Sequence, residues 1–80
     1  MKIADLSLIK FYISEDLSLL KRNEAQKKIV EKGGVVREDI TRDIWYYVTN
    51  DPTTNSEKMR RAKNIGITFI DETELLRMIE

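Results

Sequence analysis

Residues 11–34 read FYISEDLSLLKRNEAQKKIVEKGG. Phe11, Tyr12 and Ile13 are aromatic or β-branched, and Ile9, Phe11 and Ile13 alternate on one face, which predicts a strand. Ala25 and Ile29 stand four residues apart and share a helix face, which Val30 is expected to widen. Gly33 supplies a residue that closes a helix in the left-handed conformation at little steric cost. Val35 and Val36 then begin a second extended run. Strand, helix and strand within this span make a βαβ unit, whose outcome is a parallel sheet.

Working outward, strand one is expected over Leu8–Ile13, a loop over Ser14–Leu20, helix one over about Lys21–Lys32, and strand two from Val35 to about Arg37. Ile44–Val48 (IWYYV) reads as strand three, an apolar run covered on both faces, in which Trp45, Tyr46 and Tyr47 are better explained as buried than as a stacking platform. Asn50, Asp51, Pro52, Thr53, Thr54 and Asn55 form a turn-rich loop. Asn55 or Ser56 caps helix two, which carries Met59 and Ala62 and ends near Gly66. Ile67–Ile70 is strand four. Asp71 with Glu74 three residues on opens helix three as a capping box, with Leu75, Leu76 and Ile79 as its apolar face. The expected order is βαββαβα in one α/β domain over residues 1–80, with residues 1–7 as a lead-in.

Composition removes several functions. With 80 residues the chain buries roughly 60% of its unfolded surface, enough for one core. No apolar run approaches the ~18 residues of a spanning helix, so no membrane partner is expected. Lys2, Asp5 and Lys10 interrupt the first apolar residues, so no signal peptide is read there. There is no cysteine and no histidine, which removes disulfides, imidazole bases and a credible zinc site, and no metal or other cofactor is expected. Neither GxGxxG nor GxxxxGK[ST] occurs. Carboxylates are plentiful but none lies in an apolar run that would raise its pKa for acid catalysis, so an independent enzyme is not expected. Fourteen basic and fourteen acidic residues give a formal net charge of zero. A protein that grips many duplex phosphates is clearly basic, so any nucleic-acid contact here should be local.

Four features together resemble the BRCT domain family: the strand ending in Ser14; RNEAQKKIVEKGGVV with its glycine pair; the aromatic-aliphatic strand ending in VTND; and SEKMRRAKNIGITFIDETELLRMI. The last is the most specific. The closest branch includes the BRCT domains of bacterial NAD-dependent DNA ligases and of the large subunit of replication factor C. The resemblance covers about Leu8 to Ile79. It implies a three-layer α/β fold with a four-stranded parallel sheet of order 2-1-3-4, helices one and three on one face and helix two on the other. It also implies a non-catalytic, intracellular module of DNA replication or repair, in the cytoplasm or nucleoid of a bacterium or the nucleus of a eukaryote. The last helix lacks the Trp that many members carry. Glu15 stands where a Gly usually follows the hydroxyl residue, and Lys21 where a Ser often precedes the helix Arg.

The resemblance implies a phosphate pocket built from Ser14, Arg22 and Lys58, with the backbone of Glu15 beside them and Arg61 as a possible further contact to a DNA backbone. The implied partner is DNA with a 5′-phosphate; the alternative is a protein or phosphopeptide, with Met59 or Met78 on an outer interface. A carboxylate close to a phosphate near a protein surface costs ~4 kcal/mol, so the direction of Glu15 decides whether the pocket works. Read singly, Ser14 caps a turn, Arg22 and Lys58 are solvated helix charges, and Thr41 ties a loop. Gly33 and Gly34 serve the fold.

Overall fold

The computed structural model describes residues 8–19, 21–53 and 55–79. The expected lead-in, residues 1–7, lies outside them, as do Leu20 in the first loop and Thr54 in the turn-rich loop. The elements follow as β1 (Lys10–Ile13), α1 (Arg22–Glu31), β2 (Val35–Arg37), β3 (Tyr46–Val48), α2 (Glu57–Ile65), β4 (Thr68–Ile70) and α3 (Glu72–Ile79). The four strands pair in parallel in the order β2-β1-β3-β4, as the family resemblance implied. β1 is therefore central, with Tyr12 opposite Arg37 on one side and Tyr47 on the other.

Alternation along the strands divides the core in two. Phe11, Ile13, Val48 and Ile70 face one way and pack with Ala25 and Ile29 of α1 and Leu75, Met78 and Ile79 of α3. Tyr12 and Tyr47 face the other way and pack with Met59 and Ala62 of α2. On that second face the register lines up Tyr12, Tyr47 and Phe69, whose ring centroids are 4.9 and 5.2 Å apart in succession. Such ring pairs add about 0.5–1.5 kcal/mol beyond area burial.

The helix ends follow local chemistry. Ser56 Oγ accepts from the Met59 amide at 3.1 Å, and Gly66 closes α2 in the left-handed region at φ 91°. At the start of α3, Asp71 Oδ1 accepts from the Glu74 amide at 2.8 Å while Glu74 Oε1 accepts from the Asp71 amide at 3.3 Å. Gly33 takes φ 89° after α1.

Several expectations need correction. β1 starts at Lys10, because Leu8 adopts φ 65° and breaks the extended run. β3 starts at Tyr46 and not Ile44, since Ile44 still closes a turn onto Thr41 O at 3.4 Å. Trp45 lies outside the strand and is 56% exposed, so the run IWYYV is not covered throughout. Val30 is likewise exposed and does not widen the buried face of α1, because one residue past Ile29 the helix has turned by about 100°. Met59 and Met78 are core residues, not an outer interface.

The glycines generate a test. A Cβ on Gly34 would lie 2.5 Å from Ile29 Cγ2 and 3.1 Å from the Ile29 carbonyl oxygen, so α1 and β2 meet closely only without a side chain there. At Gly66 a Cβ would meet nothing, and only the left-handed backbone resists substitution. Gly34→Ala should therefore cost about 1–3 kcal/mol through overpacking, and Gly66→Ala about 1–2 kcal/mol through φ alone. Urea unfolding checks both. A double variant with Ile29→Val should not rescue Gly34→Ala, because valine keeps the clashing methyl.

Candidate phosphate site at the strand ends

Parallel sheets collect ligand sites at the carboxyl ends of their strands, where the loops are free to diverge. Here β1 delivers Ser14, β3 delivers Thr49, and α2 begins between them with Ser56, Glu57 and Lys58. These residues, with Tyr12, Glu15, Asp16, Tyr47 and Met59, line an open cleft of about 700 Å³.

Ser14 is half-buried. Its amide continues the ladder onto Val48 O at 2.9 Å, and its hydroxyl accepts a long bond of 3.4 Å from the Asp16 amide. Lys58 Nζ donates to the Tyr12 hydroxyl at 3.1 Å and lies 5.1 Å from the centre of that ring, a cation–π distance. The hydrogen bond to Tyr12 holds the Lys58 ammonium above the usual lysine range, so it stays charged at neutral pH. Arg22, at the first position of α1, donates from Nε to the Ile13 carbonyl at 2.9 Å, at the point where β1 ends. Its Nη2 lies 3.4 Å from Glu38 Oε2, and Lys58 Nζ is 3.5 Å from the Glu38 carbonyl oxygen. Both cations thus converge on one residue of the β2–β3 connection.

Not every expected contact joins them. Glu15 is exposed and lines the cleft, whereas Arg22 does not line it. Arg61 turns to the β2–β3 connection, donating to Asp39 Oδ1 at 3.4 Å and to the Ile40 carbonyl at 3.2 Å, and does not line the cleft. Thr41 ties its loop through a short hydrogen bond to Asp43. Among the described residues no group of His, Cys, Asp and Glu is placed to hold a metal ion, and no helix is long and apolar enough to cross a membrane.

The family model of the BRCA1 C Terminus (BRCT) domain matches residues 5–79. The chain belongs to the BRCT family. It is similar to a DNA ligase of Treponema denticola, 33% identical over 76 residues, which are 95% of this chain and 12% of that protein. A DNA ligase of Dehalococcoides mccartyi is 31% identical over 75 residues, 94% of this chain and 11% of the ligase. A third, from Methylacidiphilum infernorum, is 40% identical over 70 residues, 86% of this chain and 10% of the ligase. The chain thus spans about a tenth of the length of these relatives.

Two carboxylates tie together the loops at the strand ends of this BRCT domain. Asp16 accepts from the Thr49 hydroxyl at 2.8 Å, the Asp51 amide at 3.1 Å and the Asn50 amide at 3.4 Å, joining the loop after β1 to the loop after β3. Glu72, at the start of α3, is 2% exposed. Its Oε1 accepts from the Ser18 amide at 3.0 Å, the Ser18 hydroxyl at 3.3 Å and Asn50 Nδ2 at 3.0 Å, and its Oε2 from the Leu19 amide at 2.6 Å. Glu72 is therefore a buried carboxylate, although no carboxylate lies in an apolar run of the sequence. The signal was present: Glu72, Leu75, Leu76 and Ile79 stand at i, i+3, i+4 and i+7, which puts the carboxylate on the buried stripe.

Removing this acceptor strands two backbone donors and two side-chain donors. Glu72→Ala should lower stability by about 2–3 kcal/mol, with Glu72→Gln losing less because an amide oxygen still accepts. Chemical denaturation measures the cost, and amide hydrogen exchange should show Ser18 and Leu19 losing protection in Glu72→Ala.

Proposed function

We propose that this BRCT domain is a non-catalytic recognition module of DNA replication or repair that holds the 5′-phosphate of a DNA end or nick. The convergence of Arg22 and Lys58 on Glu38 supports this reading: Lys58 lines the cleft with Ser14, Arg22 is held on the Ile13 carbonyl at the end of β1, and the chain has no net charge with which to grip a backbone. Lys58 also stands in the first turn of α2, where free amides and the helix dipole favour an anion. Arg22 offers a planar fork that matches two phosphate oxygens, and Lys58 a point charge. Each such contact is worth roughly 1.5–3 kcal/mol. Association costs ~4–15 kcal/mol, so the phosphate alone binds weakly and the surrounding DNA must add contacts. The similarity to DNA ligases supports a place within a ligase-like, intracellular DNA-joining protein.

A second reading, docking of a protein or phosphopeptide, draws on the acids of the cleft. Glu15, Asp16 and Glu57 line it with the single cation Lys58, which disfavours a long polyanion. A compact patch of amide shifts with a partner protein, and none with DNA, would favour it.

The test of the first reading uses a short duplex with a recessed 5′-phosphate and the same duplex with a 5′-hydroxyl. The wild-type chain should prefer the phosphate, with amide shifts centred on Ser14, Glu15, Arg22 and Lys58. Arg22→Ala and Lys58→Ala should each lower affinity about tenfold, the equivalent of ~1.4 kcal/mol, with the unfolding transition retained. Equal affinity for the two duplexes sinks the proposal.

A further inference from the structure

We infer that Glu38 is an affinity-determining residue: its carboxylate holds the place on Arg22 that a phosphate takes, and the ligand binds by displacing it. The inference rests on the phosphate reading above. Three observations carry it. Glu38 Oε2 lies 3.4 Å from Arg22 Nη2, so an anionic oxygen already sits on the guanidinium. The same residue's carbonyl oxygen lies 3.5 Å from Lys58 Nζ, so Glu38 occupies the space between the two cations. The burial is unequal: the Glu38 side chain is 73% exposed and that of Arg22 27%.

That asymmetry decides which partner moves. Arg22 is anchored by its own Nε on the Ile13 carbonyl at 2.9 Å, a bond in which Glu38 takes no part. Glu38, in the connection after β2, can swing into water at little cost, because an exposed ion pair contributes only ~0–1 kcal/mol. A phosphate carries more charge than a carboxylate and can meet the guanidinium fork with two oxygens. The exchange is therefore favourable for a phosphate. It is unfavourable for a singly charged carboxylate, which would gain no more than Glu38 already supplies. Glu38 thus filters ligands by charge: weakly bound anions fail to displace it, and the terminal phosphate succeeds.

The sign of one substitution separates this role from its opposite. If Glu38 instead held Arg22 in position, its loss would weaken binding. Affinities of wild type, Glu38→Gln and Glu31→Gln are measured for the 5′-phosphate and 5′-hydroxyl duplexes at fixed salt. Glu31→Gln, at the far end of α1, controls for the general effect of removing one negative charge. Glu38→Gln should raise the ratio of phosphate to hydroxyl affinity about two- to fivefold, while Glu31→Gln leaves that ratio unchanged. The same variant should bind inorganic sulfate more tightly than wild type does. An unchanged ratio in Glu38→Gln overturns the inference, and a lowered ratio assigns Glu38 the opposite, positioning role. If neither wild type nor Glu38→Gln distinguishes the duplexes, the phosphate reading fails and the inference falls with it. The wild-type ratio alone therefore reports on the reading, and the change in ratio on Glu38.

Discussion

The hydrogen bonds gathered by the Glu72 carboxylate set the geometry of the upper end of this molecule. In this sheet all strands run parallel: the chain leaves β1, β3 and β4 into helices and passes from β2 to β3 without one, and no tight hairpin fixes any of these segments to a neighbour. Something else must tie those loops together. Glu72 does so from a third element, taking donors from the β1–α1 loop and from Asn50 after β3, while its own amide donates to Asn50 Oδ1 at 3.1 Å. A buried carboxylate is costly unless its oxygens are supplied with donors. Here the supply comes from two segments, so these hydrogen bonds are complete only when both are in place against α3. Asp16 repeats the device nearer the cleft. Ser14 and Arg22 lie at either end of the loop so held, which is why a helix that never touches the cleft still governs its shape.

Charge is distributed by the same economy. The chain balances fourteen cations against fourteen anions, and two of its ion pairs tie arginines to the β2–β3 connection: Arg37 with Asp43 at 2.7 Å, Arg61 with Asp39 at 3.4 Å. Pairs of this kind stabilise little. Their effect is to occupy arginines that would otherwise add to a general positive field. Thr41 and Arg37 together hold the Asp43 carboxyl below its ordinary range, so it remains an anion partner well into acid. Against that balanced background a recognition site rests on placement. Two cations directed at one point matter more than the surplus of many.

Much of this was legible in the linear sequence. The order of elements, the division of β1 into faces and the capping of α2 and α3 all follow from periodicity and end chemistry that act over a few residues. The strand order needed the family resemblance, because a βαβ unit fixes parallel pairing without saying which strand sits at the centre. Arg22 and Lys58 could be named from motif positions, yet not their meeting at Glu38, which depends on where the β2–β3 connection passes over the strand ends. The charge of Glu72 points to solvent, whereas its spacing places it on the buried stripe of α3. Trp45 shows the converse: its hydrophobicity points to burial, yet β3 begins only at Tyr46 and the indole stays exposed.

The central position of β1 has a consequence for how the chain reaches this state. β1 is the first strand made, and its partners are residues 35–37 and 46–48, each joined to it only through a crossover. Among the described residues no strand pair is antiparallel, so no hairpin forms early by closing a short loop. The ordering entropy of long loops must be met before any ladder bond returns it. Folding of so small a chain should therefore be slower than its length suggests. During synthesis Phe11, Tyr12 and Ile13 emerge well before β3, and for that interval the central strand of the finished sheet is an unpaired apolar segment with both edges open.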